Sequence, residues 1–266
     1  MTKQERATRT RQALIRSAAV VFEQHGYAQA RLVLISSGAG VSTGALHFHF
    51  ENKAAVAEAV VAEASRGLRD MSAVIRRRTD TALQALVDTS HALVERLRGD
   101  PVSRAGFRLS CDGERAAAPD LRMEWHHRVR ELLDEAAAAG TLADDIARED
   151  AAAATVAVTA GFEVLGRHDA DWLSPYRLTG FWQLLLPRLA TPETLVRVDP
   201  SGTATVPTAR GPALAGPAGR GRRAGRGDSG GGRVQLTADG DRPAPGRGPL
   251  ATGRGPLAAG RGRDAG

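Results

Sequence analysis

The chain has 266 residues and a formal net charge of +6, of which the segment from Pro200 onward supplies 11 − 4 = +7 and residues 1–199 supply 25 − 26 = −1. The isoelectric point near 10.5 therefore describes the end of the chain and does not mark the rest as basic. A single cysteine, the lack of an apolar run of ~18–20 residues and a polar N-terminus exclude a disulfide scaffold, a membrane span and a signal peptide, so we expect a cytoplasmic protein.

The first 53 residues are locally basic. They contain seven Lys and Arg against three Glu, a charge of +4, which leaves −1 − 4 = −5 for residues 54–199. A small module of positive charge suits contact with the phosphates of nucleic acid. We therefore expect any nucleic-acid contact of the folded part at its start.

The first predicted helix runs over about 3–24. Its apolar residues recur at the spacing i, i+4, i+7 and i+8 and share one helical face: Leu14, Ala18, Val21 and Phe22. Gly26 follows as a candidate left-handed C-cap, because glycine adopts positive φ without a steric penalty.

Two short helices are predicted next, over about 32–38 and 42–48. Gly40 permits a tight turn between them. Ser42 or Thr43 can cap the second helix, whose free N–H groups and dipole would then face phosphate. A turn followed by a short helix is the geometry with which a helix-turn-helix places its second helix in the major groove of DNA.

The remaining pattern is helical up to about residue 190. Asn52 is the expected N-cap of a long helix over 53–78. The alternation of β-branched and polar residues that marks strands is missing before residue 200. Further helices are predicted between Gly- and Pro-containing breakers, over 81–98, 102–112, 119–139, 149–167 and 175–189. The sequence thus predicts an all-α protein of roughly nine helices.

The end of the chain has a different composition. Residues 200–266 contain eighteen Gly and eight Pro, with repeated phrases such as GRGPLA. Such a segment cannot bury enough apolar surface to offset the entropy of ordering, so we predict a disordered Gly/Arg/Pro-rich tail over 196–266. Its Arg-Gly repeats suit loose binding to nucleic acid. The alternatives are an extension without a role and a shifted reading frame of GC-rich DNA.

The stretch AGVSTGALHFHFENK (39–53) is the most specific part of the sequence. It resembles the end of the DNA-binding domain of the TetR family of regulators, where the pattern is roughly AGV-[ST]-x-G-x-[LI]-Y-x-[HY]-F-x-[SN]-K. The resemblance covers 5–53. It implies a three-helix helix-turn-helix domain over 1–53 and a helical-bundle domain for ligand binding and dimerisation over 54–195. The matching positions are Ala39, Gly40, Val41, Ser42, Gly44, Leu46, His49, Phe50, Asn52 and Lys53.

The resemblance also implies which residues contact DNA. The expected contacts are Ser42, Thr43, Gly44, His47, His49 and Lys53. His47 stands where the family usually has a Tyr that contacts phosphate, and Lys53 would contact the DNA backbone. We expect Phe48 and Phe50 in the protein core.

Three features depart from the family pattern. Thr43 stands where close relatives often have Lys, and His47 reaches less far than Tyr. The predicted helix over 32–38 lacks the usual polar cap and acidic residue, and its Gly38 is a poor helix former, by ~1 kcal/mol relative to Ala. These departures keep open an alternative in which the fold binds a small molecule while its helix-turn-helix has degenerated.

A second resemblance is narrower. The phrases VSRAGFRLSCD (102–112), RMEWHHRVRELLDEAAAAGTL (122–142), KQERATRTRQALI and GALHFHF are similar to the γ-butyrolactone receptor branch of the TetR family. The branch implies a C-terminal domain that binds a small hydrophobic lactone or an antibiotic-like molecule. Trp125 is the expected ligand-facing residue, since indole offers an apolar face and one N–H donor, and the alternative is a plain core residue. Further candidates for the pocket are Phe107, Leu109 and Val129.

Motifs for catalysis or metal binding are missing from the sequence. It contains no HExxH, CxxC, Gly-rich phosphate loop or GxSxG. His126 and His127 are adjacent, and adjacent helical positions diverge by about 100°, too far to chelate one ion together. We therefore expect no metal, no cofactor and no enzymatic activity.

The last predicted helices, 149–167 and 175–189, are rich in apolar residues. They favour a homodimer packed through helices, or alternatively close the core of the monomer. A dimer would place two recognition helices about one turn of DNA apart. The sequence thus predicts a repressor that binds palindromic double-stranded operator DNA and is released by a small hydrophobic effector. The remaining alternative is a nucleic-acid chaperone that acts through the tail.

Overall fold

The computed structural model describes residues 2–111 and 120–203, with only the backbone at Cys111. Within these ranges the structure is helical, apart from connecting turns and one isolated bridge between Leu142 and Ala190. The helices are α1 (Lys3–Gln29), α2 (Leu32–Gly38), α3 (Thr43–His49), α4 (Lys53–Arg78), α5 (Ala82–Gly99), α6 (Pro101–Cys111), α7 (Leu121–Ala138), α8 (Arg148–Gly166), α9 (Pro175–Leu189) and α10 (Pro192–Leu195), with a 3-10 turn over Ala170–Leu173. The all-α prediction is confirmed, and α10 is a helix that the sequence pattern missed.

The first helix extends further than predicted. Gly26 has a φ of 72°, in the left-handed region, as expected for a C-cap glycine. The chain nevertheless resumes helical geometry and ends at Gln29, and the N–H of Ala30 bonds to the Gly26 carbonyl at 3.2 Å. Gly26 therefore marks a kink inside α1 rather than its end.

The helix-turn-helix has the local geometry that its sequence predicts. Gly40 has a φ of 70° in the turn between α2 and α3. The Ser42 hydroxyl accepts a hydrogen bond from the N–H of Ala45 at 3.1 Å and so caps α3. The side-chain oxygen of Asn52 accepts from the N–H of Ala55 at 2.9 Å and caps α4. The turn and both caps are confirmed.

One continuous apolar core connects the N-terminal helices to the rest of the described chain. The helix α4 packs against α1 and also against α5, α6 and α7. The predicted boundary between 1–53 and 54–195 therefore falls at the start of a helix that both parts share, and the division itself stays a prediction.

The described chain continues beyond residue 195 along α5. The N–H of Asp199 donates to Gln84 Oε1 at 2.8 Å, and the Thr203 hydroxyl donates to Asp88 Oδ2 at 2.7 Å. Asp88 is buried, and the bonds from Thr203 and from Gln84 Nε2, the latter at 2.8 Å, replace the water that its carboxylate has lost. The rest of the predicted tail, 204–266, lies outside the described residues.

A close approach of α2 to α1 depends on Gly38. A Cβ atom at Gly38 would collide with the hydroxyl oxygen of Ser17 in α1. That hydroxyl donates to the carbonyl of Ile35 at 2.7 Å, and Ile35 is fully buried. Glycine at position 38 therefore leaves room for the bond from the Ser17 hydroxyl to Ile35, although helix propensity alone disfavours it.

We expect Gly38→Ala to lower the free energy of unfolding by about 1 kcal/mol, or about 2–4 °C in Tm, although alanine is the better helix former. The new methyl group displaces the Ser17 hydroxyl from the Ile35 carbonyl. Ser17→Ala/Gly38→Ala removes the collision and should melt above both single variants. Thermal unfolding followed by circular dichroism measures these differences, and a Gly38→Ala protein as stable as wild type would contradict the packing argument.

Candidate nucleic-acid interface and effector site

The short helix α3 has one buried and one exposed side. Leu46 is fully buried and Phe50 is 4% exposed, which confirms Phe50 as a core residue. The predicted DNA contacts that lie exposed on or beside α3 are Ser42, Thr43, Gly44 and His47, and His49 is half-buried. The structure thus brings five of the six predicted positions together on one short element.

A pair of hydroxyl groups links the start of α3 to α2. Thr43 Oγ1 and Ser36 Oγ lie 3.4 Å apart, and the Ser36 hydroxyl donates to the carbonyl of Val33 at 3.1 Å. Ser36 is buried whereas Thr43 is exposed. The contact orients the N-terminal turn of α3 and keeps its outer surface free.

Lys53 has a structural role that the sequence did not indicate. Its ammonium group donates to the carbonyls of Tyr27 at 2.9 Å and Ala28 at 3.0 Å, and it lies 4.7 Å from the centroid of the Tyr27 ring. These carbonyls belong to the last turn of α1, where the helix leaves acceptors unpaired. Two of the three ammonium donors thus join α4 to α1, which leaves one for the predicted phosphate contact.

The prediction that Phe48 lies in the core is wrong. Its side chain is 80% exposed, whereas Leu46 and Phe50 are buried. At about 100° per residue, Phe48 lies about 200° from either neighbour and so on the opposite face of the helix. This periodicity, applied to α3 by itself, could have placed Phe48 among the candidate interface residues.

The chain carries no negative side chain over residues 24–50, which include α2 and α3. Arg31, at the N-cap of α2, is exposed in the same stretch. A phosphate backbone that approached this side of the molecule would therefore meet no like charge from these residues.

Charged contacts join α6 to the end of α1. Arg104 donates from Nε and Nη2 to the two carboxylate oxygens of Glu23, at 2.5 and 3.2 Å. Arg108 donates to the backbone carbonyl of Glu23 at 2.5 Å. Such bidentate, charge-assisted bonds hold both distance and orientation. The helix α6 is thus attached to α1 three residues before the kink at Gly26.

The indole of Trp125 is fully buried where α7 packs on α8. Its N–H donates to the Thr159 hydroxyl at 2.8 Å, which donates in turn to the carbonyl of Thr155 at 2.9 Å. Thr159 was not among the residues predicted from the sequence. Two Thr at i, i+4 in a helix of mostly small apolar residues could have indicated a buried polar contact. The other predicted pocket residues are buried in the same apolar core: Phe107, Leu109 and Val129.

A second buried indole has an unused donor. Trp182 on α9 is fully buried, and its N–H has no hydrogen-bond partner within residues 2–111 and 120–203. Buried polar groups are almost always paired, so an unpaired donor in a core is unusual. The carbonyl of a bound molecule would satisfy it.

A surface cleft of about 230 Å³ lies where α7 approaches the start of α8. It is lined mainly by charged residues: Arg130, Asp134, Arg148 and Glu149. Such a lining does not suit an apolar molecule. Nearby, His126 and His127 pair with different carboxylates, on Glu149 at 3.4 Å and Glu131 at 2.9 Å.

Two negative findings apply to the described ranges. No three or more His, Cys, Asp and Glu side chains there are grouped as they would be to hold a metal ion. No helix of these ranges is long and apolar enough to cross a bilayer.

The helices α8 and α9 leave large apolar side chains exposed. Val164 and Leu165 are 48% and 43% exposed on α8, and Tyr176 and Leu184 are both 81% exposed on α9. Large exposed apolar side chains can mark a surface that another protein covers.

The two parts of the fold match two family descriptions. Residues 14–60, which span α1 to α4, match "Bacterial regulatory proteins, tetR family". Residues 80–191 match "Tetracyclin repressor-like, C-terminal domain".

Individual relatives agree with this assignment. The chain is 30% identical over 205 residues to the A-factor receptor protein of Streptomyces griseus, covering 76% of this chain and 71% of the relative. It is similar to a solved γ-butyrolactone receptor described as ArpA-like, at 28% identity and a TM-score of 0.64 over 74% of this chain and 96% of the other. It is also similar to the TetR family protein CprB of Streptomyces coelicolor, solved with its operator sequence, at 30% identity and a TM-score of 0.61 over 72% of this chain and 94% of the other. The chain therefore belongs to the TetR family of ligand-responsive, DNA-binding transcriptional repressors, and within that family it is similar to the γ-butyrolactone receptors.

Proposed function

We propose that this repressor binds a palindromic operator as a homodimer and leaves it when a small hydrophobic effector of the γ-butyrolactone class binds the C-terminal domain. The observation that carries the DNA-binding part is α3 itself, a capped helix with an exposed outer face, in a segment (24–50) that contains no Asp or Glu. The chain is also similar to CprB, which was solved with its operator, and this similarity supports the use of α3 to bind DNA.

The intact turn argues against a degenerate helix-turn-helix. The departures at Thr43 and His47 leave the positive φ of Gly40 and the Ser42 cap in place. Packing against α1 accounts for Gly38, so that glycine is not a sign of decay. We propose direct DNA contacts from Ser42, Thr43, Gly44 and His47, with His49 beside them and Lys53 mainly positioning α3 through the end of α1.

Adding a negative charge at Thr43 tests this interface. We expect Thr43→Glu to weaken operator binding about 100-fold, because a carboxylate at the start of α3 would repel phosphate. The fold should tolerate it, since an acidic residue at a helix N-terminus is favourable. Fluorescence anisotropy with an operator selected from a random palindromic library, at fixed salt, gives the affinity.

Met123→Glu is the matched control for this test. Met123 is 60% exposed on α7, so the variant adds the same charge away from α3 and should bind the operator within about twofold of wild type. Equal losses in the two variants, or none in Thr43→Glu, would argue against α3 as the DNA-binding element.

The proposed effector site is centred on Trp125. The structural neighbours described as γ-butyrolactone receptors support a lactone-class effector, and the buried indole offers the apolar face that such a molecule needs. Because Trp125 is fully enclosed and its N–H is bonded to Thr159, the effector must favour a conformer in which α7 and α8 have separated. Phe107 and Leu109 on α6, and Val129 on α7, would line the opened site.

The link between α6 and α1 suggests how this opening would reach DNA. The helix that carries Phe107 also carries Arg104 and Arg108, both of which bond to Glu23 of α1. A displacement of α6 would therefore move the end of α1 and, through the bonds from Lys53, the start of α4. The effector can shift the equilibrium only by its difference in affinity for the two conformers.

We expect Trp125→Phe to raise the lactone concentration needed for half-release at least tenfold, because it removes the indole N–H and part of the apolar surface. Operator affinity without effector should stay within about twofold. The probe is a γ-butyrolactone with an alkyl substituent, added to the preformed DNA complex. Trp172→Phe, at a half-buried indole of the 3-10 turn, is the control and should respond like wild type. Unchanged release in Trp125→Phe would exclude Trp125 from the effector site.

The exposed apolar residues of α8 and α9 are the proposed dimer surface. They lie on the helices that the sequence analysis expected to pair, and a self-complementary patch is what a twofold dimer requires. The dimer would present two copies of α3 to the two halves of a palindrome.

A charge on this surface should separate the subunits. We expect Leu184→Glu to be largely monomeric at micromolar concentration by sedimentation velocity, because a carboxylate would lose its hydration in an apolar interface. Operator affinity should fall by at least tenfold, since the two half-sites would be bound independently. The Met123→Glu variant should remain a dimer. A dimeric Leu184→Glu protein would place the interface elsewhere.

We also propose that the protein acts in the cytoplasm, at the nucleoid when bound to DNA, and without cofactor, metal or catalytic step. Its relatives are regulatory proteins, and repression requires only binding and release. A role of the Gly/Arg tail as a nucleic-acid chaperone falls on residues 204–266, outside the described part of the chain.

A further inference from the structure

Phe48 is a large apolar side chain on the outer face of α3, where it is 80% exposed. Single exposed apolar residues are common on proteins, so the exposure by itself indicates little. The position is informative, because the neighbours of Phe48 on this helix are the polar positions proposed to contact DNA. A phenyl ring there would be the part of α3 that extends furthest beyond the helix backbone.

Gly44, one helical turn before Phe48, makes the phenyl ring of Phe48 more prominent. Gly44 precedes Phe48 by four residues and so lies about 40° away on the same face. A Cβ at Gly44 would meet only the Ser42 hydroxyl, at 3.8 Å, so the helix surface there is bare backbone. Because Gly44 adds no side chain, this turn of α3 can approach a groove of DNA closely. The projecting ring of Phe48 then lies at the floor of the groove.

The ring is supported from behind by aromatic contacts. Phe48 and His49 pack edge to face with their centroids 5.2 Å apart, and His49 lies 6.5 Å from the buried ring of Phe50. The Arg11 guanidinium of α1 lies 5.2 Å from the centroid of Phe50. The ring of Phe48 is thus connected through His49 to the buried ring of Phe50.

The charge of the surrounding segment and the chemistry of the ring indicate which molecule contacts the outer face of α3. The stretch between Glu23 and Glu51 has no carboxylate, which suits a polyanion better than an acidic or neutral protein partner. In the major groove of B-DNA, each base edge presents hydrogen-bonding groups, and the C5-methyl group of thymine is the apolar exception. An unpaired base edge buried under the ring would lose its water.

We infer that Phe48 is a specificity-determining residue that contacts the C5-methyl group of one thymine in each half-site of the operator. The inference rests on the proposed operator binding and adds a base-reading contact to it. The ring selects thymine because it buries that methyl group and would desolvate the polar edge of any other base at the same position.

The test removes the methyl group from the DNA and the ring from the protein. An operator is selected with the full-length wild-type protein, and each thymidine in a half-site is then replaced symmetrically by deoxyuridine, which lacks only the methyl group. At one thymidine position we expect the replacement to lower the affinity of the wild-type protein. The loss should be about fourfold per half-site, which is the effect of burying one methyl group, and about 15-fold for both half-sites together. For Phe48→Ala the same replacement should change affinity less than twofold.

Two controls complete the experiment. Met123→Ala removes an exposed apolar side chain from α7 and should keep the full dependence on the methyl group. Phe48→Ala should melt at the wild-type temperature, because the side chain is exposed. Selective binding without a methyl-sensitive position, or an equal deoxyuridine effect in Phe48→Ala, would overturn this inference alone. Failure of the wild-type protein to select any sequence would overturn the proposed function together with it.

Discussion

The C-terminal end of α1 is held by three cationic side chains, and the placement of the DNA-binding helices depends on these bonds. Lys53 of α4 binds carbonyls in the last turn of α1, while Arg104 and Arg108 of α6 bind Glu23. The end of a helix carries partial negative charge and unpaired carbonyls, so cations are its natural partners. Gly26, with its positive φ, lies between the bonds at Glu23 and those of Lys53, so α6 and α4 contact α1 on either side of its kink.

This arrangement connects two regions of different character. The helix α3, which we propose faces DNA, is short and capped; Leu46 anchors it in the core, while hydroxyl and aromatic contacts lie along its exposed side. The region of Trp125 is closed, apolar and satisfied by the Thr159 hydroxyl. Since α6 contributes both to the closed core and to the bonds with Glu23, a change in the core has a direct physical route to α1. A repressor that responds to a ligand needs such a route between two sites.

The sequence predicted most helix bounds because the features that set these bounds act over a few neighbouring residues. The caps at Ser42 and Asn52, the turn at Gly40 and the helical spacing of apolar residues each act within a few positions. Errors arose where long-range contacts or the helix face decided the outcome. Gly38 reads as a weak helix residue until Ser17 is known to lie against it. Phe48 was misplaced because it was judged by residue type, although its spacing from Leu46 put it on the outer face.

The sequence by itself determined the all-α class, the helix-turn-helix and the family, because these follow from periodicity, capping chemistry and a specific motif. It also identified the exposed positions Ser42 to Gly44 and the buried Trp125. Only the tertiary structure decided that Lys53 binds the end of α1, that Thr159 satisfies Trp125, and that the Trp182 N–H has no partner among residues 2–111 and 120–203. The partners in these cases are 26 and 34 residues apart, or missing altogether within the described residues. Hydrogen bonding between distant residues depends on how the helices pack, and neither propensity nor spacing along one helix contains that information.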